Sequence, residues 1–238
     1  MHAVFALIAT LFFATPLTAA NEGILVVGGT GQLGSYHVKS LSRAGERVVV
    51  LARPSSTFER IEGSDYEVVI GDLTDAEGLK AAVMEARPAI IIDAANIPGI
   101  RMDDGDSFYQ VAAQNLIAAA RAAGVSQVIV HGAGGARSML TQVPEMFADE
   151  PRIVNYMRDR ARAEMEWENS GIPWTLVHNR NLPPEPAEAT GGGQLGATIT
   201  DLGPIARADL AAAANRCILN EDCFNKTFYA FDPERRAK

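Results

Sequence analysis

Val27-Gly28-Gly29-Thr30-Gly31-Gln32-Leu33-Gly34 is the stretch on which the fold turns. Gly28, Gly31 and Gly34 stand three apart. Residues 23–27, in front of them, form a short continuous apolar run bounded by glycine, as a strand buried on both faces does. Residues 32–44, behind them, carry a helical pattern that stops at Gly45. The order strand, glycine turn, helix gives each glycine a task. Gly28 permits a tight turn, Gly31 leaves room for backbone to approach a pyrophosphate, and Gly34 lets the helix pack close to the sheet. Thr30, Gln32 and Leu33 complete the turn. The helix N-terminus offers free N–H groups and a positive dipole end to phosphate. A plain tight turn would also use glycine, but it needs neither this spacing nor this context.

Outward from the turn, apolar runs and helical patterns alternate. Residues 48–51, 67–70, 89–92, 127–130 and 174–177 read as strands, and residues 226–231 as a last short one. Residues 75–86, 107–123, 153–169 and 208–219 read as helices, the first stopped by Pro88. Such alternation predicts one doubly wound (Rossmann) parallel sheet with helices on both faces, a single α/β domain over residues 21–238. Two irregular segments, residues 132–151 and 179–204, follow strands. Ligands in open α/β sheets bind beyond the carboxyl ends of strands, so both segments are natural walls of a substrate pocket. The second is rich in Pro and Gly and reads either as a mobile lid or as a disordered surface loop.

The ends of the next strands bear on the choice of dinucleotide. Sites specific for NAD place a carboxylate after the second strand to hold the ribose 2′-hydroxyl. Here the sequence is Leu51-Ala52-Arg53-Pro54-Ser55-Ser56, so the first charge is Arg53, followed by two hydroxyls. That set suits a 2′-phosphate and favours NADP, with NAD as the alternative. The bland reading of Arg53 is a solvated charge at a strand end. Asp72 is placed to accept from the adenine amino group and Leu73 to pack on the ring. Ala94, Ala95 and Asn96 close the fourth strand, where small residues let a cofactor cross the sheet edge.

Together these motifs resemble the atypical short-chain dehydrogenase/reductases, in the NAD(P)H-binding group that includes NmrA-like proteins and flavin reductase/biliverdin-IXβ reductase. The carriers are GGTGQLG at 28–34, LARPSS at 51–56, GDLTD at 71–75, the stretch from Arg162 through SGIPWTLV at 170–177, and IARADLAAAANRCI at 205–218. In the last of these the resemblance implies that Asp209 caps the late helix. It also implies a Ser after the fifth strand and a Tyr-x-x-x-Lys on the next helix, where the Tyr gives a proton and the Lys tunes it. This chain departs from that pattern. The fifth strand ends His131-Gly132-Ala133-Gly134-Gly135 with no Ser before Ser138, and the helix offers Tyr156 with Arg160 where the family has Lys. A planar guanidinium is not an ammonium, although it brings charge to a ribose. His178-Asn179-Arg180 replaces the usual Arg-Pro-Gly.

The candidate catalytic set is Tyr156, Arg160 and His178. The plain alternatives are two neighbours one helical turn apart and a structural imidazole, the latter applying equally to His131. The resemblance implies an NAD(P)H-dependent reductase of a small conjugated or carbonyl acceptor, with the cofactor doing the chemistry and solvent supplying the proton. The alternative is a catalytically silent NAD(P)-binding sensor of NmrA-like type.

The formal net charge of −8 argues against nucleic acid as a partner and leaves a small-molecule substrate. Residues 1–20 carry no Asp, Glu, Lys or Arg. An apolar run over residues 3–14, Pro16, and Thr18-Ala19-Ala20 read as a signal peptide cleaved after Ala20. The mature chain would then be periplasmic or extracellular and free of the membrane; the alternative is an uncleaved N-terminal anchor. Cys217 and Cys223, six apart, either close a small disulfide loop or remain two thiols. No Cys or His spacing suggests a metal.

Overall fold

The computed structural model describes residues 23–96, 107–180 and 182–236. Eight strands are joined in one sheet: β1 (Gly23–Val27), β2 (Val48–Ala52), β3 (Glu67–Ile70), β4 (Pro88–Asp93), β5 (Gln127–Ala133), β6 (Trp174–Asn179), β7 (Gln194–Gly196) and β8 (Lys226–Phe231). Their order is β3-β2-β1-β4-β5-β6-β8-β7. Neighbours are parallel except β7 and β8, which are antiparallel. The chain steps outward from β1 to β3, then returns to the other side of β1 as β4. That reversal opens a crevice at the carboxyl ends of β1 and β4.

The principal helices are α1 (Gly34–Arg43), α2 (Ala76–Ala86), α3 (Tyr109–Ala123), α4 (Pro151–Glu168) and α5 (Arg207–Asn215), with a short α6 (Pro233–Arg236). The apolar runs need two covered faces, and they have them. Leu25, Val27, Val49 and Leu51 pack with Leu79, Val83, Leu116 and Trp167 from α2, α3 and α4. Ile24, Val26, Val48 and Val50 point the other way, to Val38 and Leu41 of α1 and Leu210 of α5. Local chemistry sets several helix ends. Asp75 caps α2 by accepting the Gly78 N–H at 3.1 Å. Gly124 ends α3 in the left-handed region at φ 72°, where a Cβ would be strained. Asp159 of α4, fully buried, accepts the Tyr109 N–H at 2.6 Å and the Ser107 hydroxyl at 2.9 Å, so one helix satisfies the open end of another.

Two expectations are corrected. The segment over residues 179–204 is neither a free lid nor a loose loop from residue 182 onward. It contributes β7, a strand too short to register as a period. It is also tied down by Asp209, which accepts the Thr190 and Gly191 N–H groups at 2.9 Å each. Asp232, fully buried, takes the Thr190 hydroxyl at 2.7 Å. Asp209 therefore does not cap α5. Ala206 stands at the cap position, no side chain caps the helix there, and Asp209 sits inside the first turn, turned to the loop. Cys217 and Cys223 are joined in a disulfide between α5 and β8, which resolves the cysteine alternatives. The apolar leader lies outside the described residues. Among the described residues no helix is long and apolar enough to cross a membrane.

Candidate functional site

A cavity of about 840 Å³ runs along the carboxyl ends of the strands from β3 to β6. At its centre is the turn after β1. Gly28 has φ 74°, and a Cβ there would lie 2.9 Å from Ala95 Cα, so the turn presses on the end of β4. A Cβ at Gly34 would lie 2.1 Å from the Gly28 carbonyl oxygen, so only glycine lets α1 start this close to β1. The Gly31 N–H closes the turn onto the Gly28 carbonyl at 2.9 Å. Helix α1 begins with no side-chain cap and no acidic residue in its first turn. Its positive end is therefore left to whatever occupies the cavity. Gly28, Thr30, Gly31, Gln32 and Leu33 line the cavity, while Gly34 shapes it from behind.

On the β2–β3 side, Arg53 and Ser56 line the cavity and close a small turn, with the Arg53 N–H donating to Ser56 Oγ at 3.0 Å. Ser55 is not among the lining residues; Ser56 takes its place. Arg60, which the sequence reading passed over, joins them. It sits on a single 3-10 turn, Glu59–Ile61, anchored by the fully buried Ile61. The only signal for it in the sequence is an apolar residue next to an Arg in an irregular stretch. Asp72 accepts the Thr74 N–H at 2.8 Å and the Thr74 hydroxyl at 2.7 Å, which together hold its carboxyl below the usual range. Leu73 lies beside it, its carbonyl fixed by Asn115 at 2.9 Å.

Ala94, Ala95 and Asn96 carry the cavity past β4. Burial pushes the Asp93 carboxyl up, against the Ala95 N–H that it accepts at 3.0 Å and the nearby Arg160. Asn96 Oδ1 accepts from two phenols, Tyr109 at 2.7 Å and Tyr156 at 3.2 Å. The two rings meet edge to face with centroids 5.5 Å apart. The Arg160 guanidinium lies 4.5 Å from the Tyr109 centroid and donates to the backbone carbonyls of Ala95, at 3.4 Å, and His131. Burial alone would weaken its hold on its proton. Tyr156, Tyr109, Glu164 and Asp93 outweigh that and raise its pKa, so the guanidinium stays charged. Tyr156 and Arg160 thus meet on the cavity wall, one helical turn apart.

The structure separates the two histidines. His178 is not among the lining residues. It lies behind β5, 3.2 Å from Glu164 Oε1 and edge-on to Tyr229, and a Cβ on Gly132 would come within 2.5 Å of its ring. It is placed to support β5 and not to touch an acceptor, because its position on β6 turns it under the sheet end. His131 does reach the cavity wall. Its Nε2 is 2.8 Å from His37 Nε2, and His37 Nδ1 is 2.6 Å from Asn215 Oδ1. Asn215 is oriented by its N–H to Ser40 Oγ at 2.7 Å. A carboxamide oxygen only accepts, so His37 carries its proton on Nδ1 and receives one from His131 Nε2–H. Burial pushes the His37 pKa down to about 4. Burial, His37 and Arg160 push His131 well below the ordinary value. The pair is neutral.

Past β6, Gly134, Asn179 and Arg180 line the cavity with Met157 and Leu182. Arg207 completes that wall from the start of α5, 3.2 Å from Glu185 Oε1 and donating to the Pro183 carbonyl. The Tyr36 hydroxyl of α1 donates to the same Glu185 at 2.9 Å. Arg207 was missed in the sequence because it stands far along the chain from every cofactor motif. Among the described residues no group of three or more His, Cys, Asp or Glu could hold a metal ion.

Residues 28–221 match the family model described as NAD(P)H-binding. The chain is 30% identical over 234 residues to an uncharacterized chloroplastic protein of Arabidopsis thaliana, covering 89% of this chain and 70% of the relative. It is 26% identical over 247 residues to sanguinarine reductase of Eschscholzia californica, covering 86% and 87%. It is 28% identical to the chloroplastic divinyl chlorophyllide a 8-vinyl-reductase of Oryza sativa subsp. indica over 88% of this chain, spanning about half of that longer protein (54%). Among solved structures it is similar to ChuY, an anaerobillin reductase from Escherichia coli O157:H7, with a TM-score of 0.70 at 21% identity over 89% of this chain and 98% of that one. A short-chain dehydrogenase/reductase from Veillonella parvula in complex with NADP has a TM-score of 0.68 at 13% identity over 90% and 96%. The chain belongs to the NAD(P)H-binding family, and the relatives it is similar to include named reductases.

Proposed function

We propose that this protein is an NADPH-dependent reductase of a small conjugated or carbonyl acceptor, in which the chain positions and the cofactor reduces. One observation carries the reading: a single cavity joins an uncapped helix N-terminus and a glycine cradle to the Asn96–Tyr156–Arg160 cluster. The residues fit a dinucleotide, since glycine at 28 and 34 lets the turn close against the segment after β4 and brings the uncapped start of α1 up to the cavity. Gly28, Thr30, Gly31, Gln32, Leu33 and the start of α1 would hold the pyrophosphate. Arg53, Ser56 and Arg60 would meet a 2′-phosphate, with no carboxylate among the lining residues after β2, and this supports NADPH over NADH. Asp72 and Leu73 would face the adenine. Ala94, Ala95 and Asn96 would pass the cofactor across the sheet edge, and Arg160 would lie by the nicotinamide ribose.

When bound, the dinucleotide supplies a hydride, two electrons that reduce the acceptor while NADPH becomes NADP+. The accompanying proton comes from water. Tyr156 has neither a Lys nor a Ser to tune it, and its hydroxyl is spent on Asn96. Positioning therefore outweighs acid–base catalysis. The missing Ser and Lys are also what favours the rival reading, a silent NAD(P)-binding sensor. The test is to scan small quinones, enones and carbonyls for NADPH oxidation by absorbance. Turnover supports the reductase; tight NADPH binding with no oxidation of any acceptor supports the sensor. We also read residues 1–20 as an export signal, tested by intact mass: a mature chain starting at Asn21 supports it, and retention of Met1 refutes it.

A further inference from the structure

Asn96 differs from the other polar side chains on its wall of the cavity in the hydrogens it has left over. Its Oδ1 accepts the Tyr109 hydroxyl at 2.7 Å and the Tyr156 hydroxyl at 3.2 Å. A carboxamide oxygen has two lone pairs, and here both are engaged. The two phenol rings brace each other edge to face, with centroids 5.5 Å apart, and Tyr109 is buried. Side chains from α3 and α4 thus fix the amide by its oxygen. Its NH2 group is the opposite case. Asn96 is exposed and lines the cavity, and among the described residues nothing accepts from its Nδ2.

The neighbouring donors are committed. Tyr156 gives its proton to Asn96. Arg160 is turned to the carbonyls of Ala95 and His131. His131 gives its Nε2 proton to His37, which leaves Nδ1 as an acceptor only. The sheet order places the Asn96 hydrogens where reduction would occur. β4 and β5 lie on one side of β1, and β2 and β3 on the other. A dinucleotide with its pyrophosphate on the β1 turn and its adenosine toward Arg53 leaves its nicotinamide to the β4–β5 side. Hydride addition to a carbonyl or enone carbon drives an electron pair onto the conjugated oxygen, which becomes an alkoxide or enolate. A fixed N–H donor to that oxygen strengthens as the charge develops. The donor keeps its proton throughout, and water protonates the oxygen afterwards.

We infer that Asn96 is a catalytic residue: its Nδ2 donates to the oxygen of the acceptor and stabilises the oxyanion formed on reduction. The acceptor class narrows to ketones, enones and quinones, whose oxygen is conjugated to the carbon that takes the hydride. This rests on the reductase reading for the reaction, while the oxyanion site can be tested by binding alone. The probes are 4-nitrophenolate, whose charged oxygen stands in for the enolate, and 4-nitroanisole, in which a methyl group removes that charge. Two variants separate the lost donor from other changes. Asn96→Asp still accepts from Tyr109 and Tyr156 but has no N–H, and Asn96→Ala removes the donor without adding charge. On NADP+-saturated protein, both variants should bind the phenolate about tenfold more weakly than wild type, and nitroanisole equally well. With an enone or quinone that the wild type reduces, kcat should fall roughly 10²–10³-fold in both. No phenolate binding to the wild type at millimolar concentration, unchanged phenolate affinity in either variant, an equal loss for phenolate and nitroanisole, or an unaltered kcat would each overturn the inference. The reductase reading fails separately, if no acceptor in the wider scan is reduced while the phenolate difference between wild type and variants persists.

Discussion

The two halves of the cavity are built in different ways. The half at β1–β3 comes from short, local sequence: a strand, a turn and the start of the next helix or loop. The half at β5–β6 is assembled from distant pieces. Tyr156 and Arg160 come from α4, Asn96 from the segment after β4 and His131 from β5, far apart in the chain and joined by hydrogen bonds, while Arg207 comes from α5. The first half is closely packed backbone, so that a Cβ on Gly34 would lie 2.1 Å from the Gly28 carbonyl oxygen. The second is held by side chains. The family chemistry follows that division. The local half carries the glycine pattern, and the assembled half carries Tyr156 with Arg160, with no Ser between His131 and Ser138.

The largest expected effect falls on the local half. Gly31→Val puts a branched side chain over a turn where a Cβ would already be 3.1 Å from the Gly28 carbonyl. NADPH affinity by calorimetry should fall roughly 10²-fold or more. Wild-type affinity in this variant would show that backbone does not shape this half.

The next concerns the contact between the halves, since His37 on α1 meets His131 on β5. His37 has a folded pKa of about 4 against an ordinary 6.5. As pH falls, the unfolded chain takes up the proton first. The stability is complete above about pH 6.5 and lost as pH drops from there to about 4, an effect on the order of 3 kcal/mol from His37. His131, depressed in the same direction, adds to it. Melting temperature should decline across that window, and a His37→Gln, His131→Gln double variant should flatten the decline. An unchanged slope would mean that the pair does not couple the halves.

Cofactor choice sharpens the comparison within the local half. Arg53→Asp should reverse a preference for NADPH over NADH, a shift of about tenfold or more in relative affinity. Equal affinities in the wild type by calorimetry would remove the case for NADP. The smallest effect belongs to the assembled half. Tyr156→Phe should reduce NADPH oxidation by less than the roughly 10²–10⁴-fold typical of a lost general acid. A near-complete loss with unchanged cofactor affinity would make Tyr156 beside Arg160 a working acid.

Legibility in the sequence divides along the same line. β1 was readable to the residue because a buried strand leaves an unbroken apolar run; β3 and β8, partly exposed, were bounded by the β-branched and aromatic residues they carry. Arg53 and Asp72 were found because they follow such runs directly. Arg60 was not, since a single 3-10 turn has no period. β7 was hidden in a Pro- and Gly-rich segment because three residues carry no alternation. Asp209 was expected at a helix cap, but its carboxylate is drawn to two loop N–H groups that only folding brings near. His178, next to the apolar run 174–177, is in sequence a candidate for the cavity or a structural imidazole. The register of β5 against β6 sets it opposite Gly132, where the absent side chain makes room for it.

By itself, then, the sequence determined the alternation of strand and helix, the glycine turn and the charge that follows β2. Each of these depends on neighbours within a few residues and so is written in local pattern. Tertiary structure decided which of two histidines reaches the cavity, that Asn96 takes both tyrosine hydroxyls, and that Arg160 is held by the backbone carbonyls of Ala95 and His131. Those outcomes depend on sheet order and on which polar groups meet when helices pack. Burial drives most buried polar groups to a partner in space, wherever that partner stands in the chain.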